Sequence, residues 1–150
     1  MLKGIDPRIS PELLYALAQM GHGDDLAIVD ANFPAASLAR HLPFKNVIYL
    51  SGRLQAAVQL VLGLMPLDAF VPAAATTMQV VGDPDAVPEP VAEIIPLIEG
   101  AGSSLQSVDR FGFYELTRSS FAILQLTDIR PYGNVILKKG VLPPIRPNRQ

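Results

Sequence analysis

The chain has 150 residues, 49% of them hydrophobic, enough for one domain with a continuous core, and its formal net charge of −2 offers no positive field to nucleic acid or an anionic membrane surface. The absence of cysteine excludes disulfides, thiolate metal sites and thiol redox chemistry. No apolar signal core precedes Asp6, and Gln59, Pro66, Asp68 and Pro72 interrupt the apolar region from Leu54 to Val81, so the expectation is a soluble cytoplasmic protein without a membrane span.

Ser10 followed by Pro11 predicts a helix start, with Leu13, Leu14 and Leu17 on one face until Gly21 ends it. His22 is then left at the helix exit. Leu26–Val29, a short apolar run between acids, predicts a buried strand with Asp30 just past its end, and Asn46–Leu50 repeats the pattern. Gly52–Met65 carries Leu54, Ala57, Val58, Val61 and Leu62 at helical spacing and is closed by Pro66; Ala75–Val81 reads as a strand. Pro90–Glu99 has Val91, Ile94, Ile95 and Ile98 at helical spacing, with Pro96 expected to kink or split it. Val108–Arg110 reads as a short strand and Phe113–Ser119 as a short helix. Phe121–Thr127 and Asn134–Lys138 read as strands separated by the turn residues Arg130-Pro131-Tyr132-Gly133.

Helices alternating with strands predict an α/β fold: a single three-layer α/β/α domain over residues 1–142 with a mixed, largely parallel sheet. The end from Pro143, PPIRPNRQ, reads as a Pro-rich disordered tail.

Ligands of such sheets bind in loops outside strand ends, which directs attention to MGHGDDLAIVDANFP at residues 20–34. His22 lies in a helix-to-strand loop and Asp30 at a strand's carboxyl end; Tyr132 and Asn134 lie in a late turn. Each also has a bland reading: glycines that stop a helix, Asp24 and Asp25 solvating a turn, Asp30 capping the next segment, Tyr132 and Asn134 shaping their turn, and Arg110 pairing with Asp109 or Glu115. Phe111, Phe113 and Phe121 are expected in the core. One histidine and several carboxylates could hold a divalent ion. His41 is far along the chain, however, and no HxH or HExxH spacing occurs, so no metal is expected. GxSxG, GxGxxG and Walker patterns are absent.

Three segments, MLKGIDPRISPELLYALAQMGHGDDLAIVDANFPA, VDRFGFYE and PYGNVILKKG, together make the chain resemble the L-fucose mutarotase and D-ribose pyranase family. The resemblance implies cofactor-free interconversion of anomers, or of pyranose and furanose forms, of a monosaccharide. It implies His22 as the catalytic histidine, with Asp30 beside the sugar to fix the imidazole or hold a hydroxyl, and Arg110, Tyr132 and Asn134 as sugar-binding residues. It further implies a ring-forming homo-oligomer, pairing into decamers, with sites at subunit boundaries. Arg-Phe-Gly-Phe-Tyr-Glu is similar to the fucose branch, which favours L-fucose over D-ribose, whereas residues 38–75 carry no quotable motif of the family and the basic, proline-rich end extends past the usual Lys-Lys-Gly-Val finish. The rival readings are a sugar-binding ring protein without turnover and a metal-dependent sugar isomerase.

Overall fold

In the computed structural model, which describes residues 1–145, Ser10 caps helix α1 (Pro11–Gln19) by accepting the Leu13 N–H at 3.2 Å. There follow β1 (Asp25–Val29), α2 (Ala35–Ala39), β2 (Ile48–Leu50), α3 (Leu54–Leu62), β3 (Ala75–Met78), α4 (Glu89–Gly100), β4 (Leu105–Val108), α5 (Arg110–Arg118), β5 (Ala122–Leu126) and β6 (Val135–Lys138). Residues 146–150 of the expected tail lie outside the described residues.

A six-stranded sheet in the order β2-β5-β1-β6-β3-β4 forms the middle layer. All its strands run parallel to one another except β6, which lies antiparallel between β1 and β3. Side-chain alternation sends Leu26, Ile28, Leu124 and Leu137 to a core shared with α1, α3 and α4, and Ala27, Val29, Ile123 and Ile136 to a second core under α2 and α5. The sheet is thus covered on both faces, as the alternation of elements predicts. Among the described residues no helix is long and apolar enough to cross a membrane.

Several expectations are corrected. Helix α2 is too short for periodicity to reveal, and its cap, Pro34, makes no side-chain bond. The strand expected over Val108–Arg110 ends at Val108, because Asp109 caps α5 by accepting the Gly112 N–H at 2.7 Å and makes Arg110 its first residue. Pro96 neither ends nor splits α4: the carbonyl it leaves unbonded is that of Ala92, exposed like Pro96 itself, where water can solvate it. Phe113 is fully buried and Phe121 packs half-buried against the core, but Phe111, second residue of α5, is 69% exposed. Asp25 belongs to β1 and pairs with Lys138 at 2.9 Å instead of solvating a turn.

Candidate active site

The antiparallel pairing of β6 with β1, in which Ile28 faces Val135, brings the late turn against the carboxyl end of β1. Asn134 is buried there, and its carboxamide is used twice: Oδ1 accepts the Asp30 N–H at 2.9 Å and Nδ2 donates to Asp30 Oδ2 at 3.1 Å. The other Asp30 oxygen accepts the Asn32 N–H at 2.9 Å. Burial is the largest influence on this carboxyl and raises its pKa above the ordinary range, against the lowering by its hydrogen bonds. Asp30, Asn32, Phe33, Met78, Tyr114, Pro131, Tyr132 and Asn134 line an open cleft of about 230 Å³, a mixture of rings and polar groups suited to a small polyol.

Tyr132 is held in the left-handed region, φ 60°, the one non-glycine residue there among the described residues. Its hydroxyl accepts the Val81 N–H at 3.2 Å. Arg130 anchors the turn from behind, donating to Asp128 at 3.0 and 2.8 Å and to Glu93 at 2.8 and 3.0 Å. Arg110 shares a neighbouring cavity with Val81, Gln79, Gly82 and Phe111, its guanidinium 5.1 Å from the Phe111 ring centre. Neither bland partner takes it: Asp109 caps Gly112, and Glu115 pairs with Arg118.

His22 is elsewhere. It precedes β1, whereas Asp30 follows it, and the five steps from Asp25 to Asp30 alone span about 17 Å at the usual strand rise. The loop that carries it is pinned by the other end of β6. Lys139 Nζ donates to the Leu17 and Met20 carbonyls at 2.7 and 2.6 Å, closing the exit of α1, and its backbone exchanges bonds with Gly23 and Asp24. A Cβ at Gly140 would run into the Leu67 carbonyl, so glycine is what lets the 66–68 backbone lie against β6. Asp68 is thereby delivered to His22: its Oδ1 sits 3.1 Å from Nε2 and also accepts the Phe70 N–H at 3.0 Å. Those contacts, the Phe70 amide foremost, hold the Asp68 carboxyl below the ordinary range. The imidazole lies over Phe70, ring centres 5.5 Å apart, with its side chain 47% exposed.

Of the residues singled out in the sequence, then, Asp30, Tyr132 and Asn134 converge on one cleft and Arg110 adjoins it, while His22 sits at the opposite end of the sheet. Within one chain Asp30 does not orient the imidazole; Asp68 does. The sequence presented Asp68 only as a break in an apolar region, 46 residues from His22, and no local pattern connects the two. An ionised carboxylate only accepts, so Nε2 is the nitrogen that carries a proton toward Asp68, and in the neutral imidazole Nδ1 is then the acceptor. No group of three or more His, Cys, Asp or Glu able to hold a metal ion occurs among the described residues.

Comparison with known proteins gives a consistent result. The model of the RbsD / FucU transport protein family matches residues 3–142. Fucose mutarotase of Danio rerio is 40% identical over 149 residues, covering 96% of each chain. The crystal structure of fucose mutarotase from Streptococcus pneumoniae in complex with L-fucose superimposes with a TM-score of 0.84 at 36% identity, covering 95% of this chain and 100% of that one. Bacillus subtilis RbsD complexed with D-ribose shares the fold, with a TM-score of 0.74 at 21% identity over 95% and 99% of the two chains.

Proposed function

The chain belongs to the RbsD / FucU transport protein family, and from that membership we propose that it is a mutarotase that interconverts the α and β anomers of a reducing monosaccharide, L-fucose first among them. The reaction takes a proton from the anomeric hydroxyl and delivers one to the ring oxygen; the ring C–O bond breaks, the aldehyde turns, and the ring closes on its other face. It consumes no hydride and needs no cofactor. Imidazole can accept and donate near neutral pH, and such assistance is worth about 10²–10⁴-fold. His22 is that group. The observation that carries the reading is its contact with Asp68, which fixes the tautomer and supports the imidazolium when it forms.

Asp30, Arg110, Tyr132 and Asn134 hold the sugar: the carboxylate accepts, the guanidinium donates in a fixed plane, and the tyrosine ring packs while its hydroxyl bonds. Because His22 and this cleft lie at opposite ends of β1, a working centre takes the cleft of one copy and the His22–Asp68 pair of another. That requirement fits a ring-forming homo-oligomer, a decamer by family resemblance, in the cytoplasm, where a sugar kinase or isomerase takes the anomer produced.

Magnetisation exchange between the anomeric protons of L-fucose tests this directly, with D-ribose in parallel and a chelator present. Fucose exchange is expected to accelerate, and His22→Ala to abolish the acceleration while Asp24→Ala leaves most of it. Equal rates for His22→Ala and the unsubstituted chain would defeat the mechanism. Pyranose–furanose exchange of D-ribose without an effect on fucose would transfer the same residues to a pyranase.

A further inference from the structure

The hydroxyl of Tyr132 spends one of its lone pairs on a backbone donor from a separate loop, the Val81 N–H at 3.2 Å. That donor sits in a defined turn. The Asp83 N–H returns to the Val80 carbonyl at 3.1 Å, and Gly82 has φ +83°, while Val81 does not adopt positive φ. Positive φ at the third position alone is the signature of a type II turn, with Val81 second. The Val81 side chain is 61% exposed and makes no contribution to the buried core, so the amide is the part of this residue turned to use.

We propose that the Val81 amide is a positioning group for the reaction, which aims the Tyr132 hydroxyl proton at the sugar. A phenol oxygen has one proton lying near the ring plane, on one side or the other. With Val81 donating from one side, the proton turns to the opposite side, and Tyr132 is presented as a donor to a sugar oxygen. Tyr132 itself is held in a left-handed conformation between Pro131 and Gly133, which fixes the ring. The 80–83 turn fixes what the ring alone leaves free, the rotation of its hydroxyl. The inference rests on the mutarotase reading above, since it assumes that Tyr132 faces the sugar.

The turn geometry permits an unusually clean test. Proline is favoured at the second position of a type II turn, and the extended bridge residue Val80 tolerates a following proline, so Val81→Pro removes the N–H while keeping the turn. The readouts are the thermal midpoint, the sugar dissociation constant, the exchange rate at saturating L-fucose, and the same rate in a Tyr132→Phe background. The midpoint is expected to hold or rise. The saturated exchange rate is expected to fall about three- to tenfold, the worth of one neutral hydrogen bond, with a smaller change in affinity. Val81→Ala, which retains the amide, keeps the rate. In the Tyr132→Phe background Val81→Pro has no further effect, because the acceptor is gone. An unchanged rate in Val81→Pro, or an equal fall with and without the Tyr132 hydroxyl, overturns the inference. No acceleration of exchange by the unsubstituted chain overturns the mutarotase reading instead.

Discussion

Asp128→Asn isolates the element that holds the 130–134 turn, proposed above to meet the sugar, to the sheet. Asp128 is buried with its side chain 3% exposed; it receives Arg130 through two nitrogens and also the Leu54 N–H at 3.1 Å, so it caps α3 from a distant part of the chain. The Arg130 side-chain bonds are the main reason its pKa falls from the ordinary 3.8 to about 2. At about 1.4 kcal/mol per tenfold, that fall is worth roughly 2 kcal/mol of stability at neutral pH. The sign follows from the depressed value: the contribution is complete well above pH 3.8 and is lost as pH falls through 2, so about half should be gone at pH 3. The substitution keeps the shape and the Leu54 acceptor but removes the charge. Urea unfolding at one protomer concentration should therefore show Asp128→Asn weaker by roughly 2 kcal/mol at pH 7 and by about half that at pH 3. Because Arg130 opens the turn that presents Tyr132 and Asn134, L-fucose affinity should fall several-fold at pH 7. A difference in stability that stays constant between pH 7 and pH 3 would refute the assignment of the effect to this ion pair.

Asn134→Asp replaces the amide that donates to Asp30 by a second buried carboxylate, so the pair keeps a proton the unfolded chain has released. Each pH unit over which it does so costs about 1.4 kcal/mol, and the variant should lose on the order of 3 kcal/mol more at pH 8 than at pH 4.5, measured by denaturant melts. A pH-independent loss would show that the amide has only a packing role. Lys139→Met keeps the stem but removes the charged head from the Leu17 and Met20 carbonyls; about 2 kcal/mol should be lost, and the exchange rate should fall with it because the His22 loop is released. Normal exchange by a destabilised Lys139→Met chain would separate the loop from the reaction.

What the sequence disclosed and what it concealed divide along a physical line. The Ser10–Pro11 start, the apolar run before Asp30 and the turn before Asn134 are local signals, and the elements they predict are present. Periodicity could not find α2, five residues long, and it missed that Asp109 begins a helix because a cap at the end of a strand reads equally well as the strand's own end. The deeper omission is Asp68. Its placement depends on Gly140 admitting the 66–68 backbone beside β6, a contact made across the fold that leaves no spacing to read. The same holds for Asp128, which accepts the N–H of Leu54, 74 residues away, and for Arg130, whose second partner Glu93 is 37 residues away. Yet the Tyr-Gly-Asn-x-x-Leu-Lys-Lys-Gly segment is intelligible in retrospect. Its first half packs against Asp30, its last half pins the His22 loop, and the apolar residues between them are the strand β6 that links the two.

That one strand should reach both the Asp30 cleft and the His22–Asp68 pair, yet hold them apart, leads to a prediction about assembly. β6 is antiparallel to β1, so Asn134 meets the end of β1 while Lys138 meets its start, and no rearrangement short of breaking the sheet brings His22 to Asp30 within one chain. If each centre is completed between neighbouring copies, a chain carrying His22→Ala still offers an intact cleft, and a chain carrying Asp30→Asn still offers an intact His22–Asp68 pair. Each homogeneous variant should be inactive. Unfolded together in equal amounts and refolded, they should form mixed rings in which about a quarter of the boundaries join one intact half to the other, because each half is independently sound in half of the copies. Fucose exchange should accordingly return to about a quarter of the unsubstituted rate per chain. Mixed rings, verified by mass, that remain as inactive as either parent would mean that both halves act within one copy. The separation of His22 from Asp30 along β1 would then need a different explanation from a shared centre.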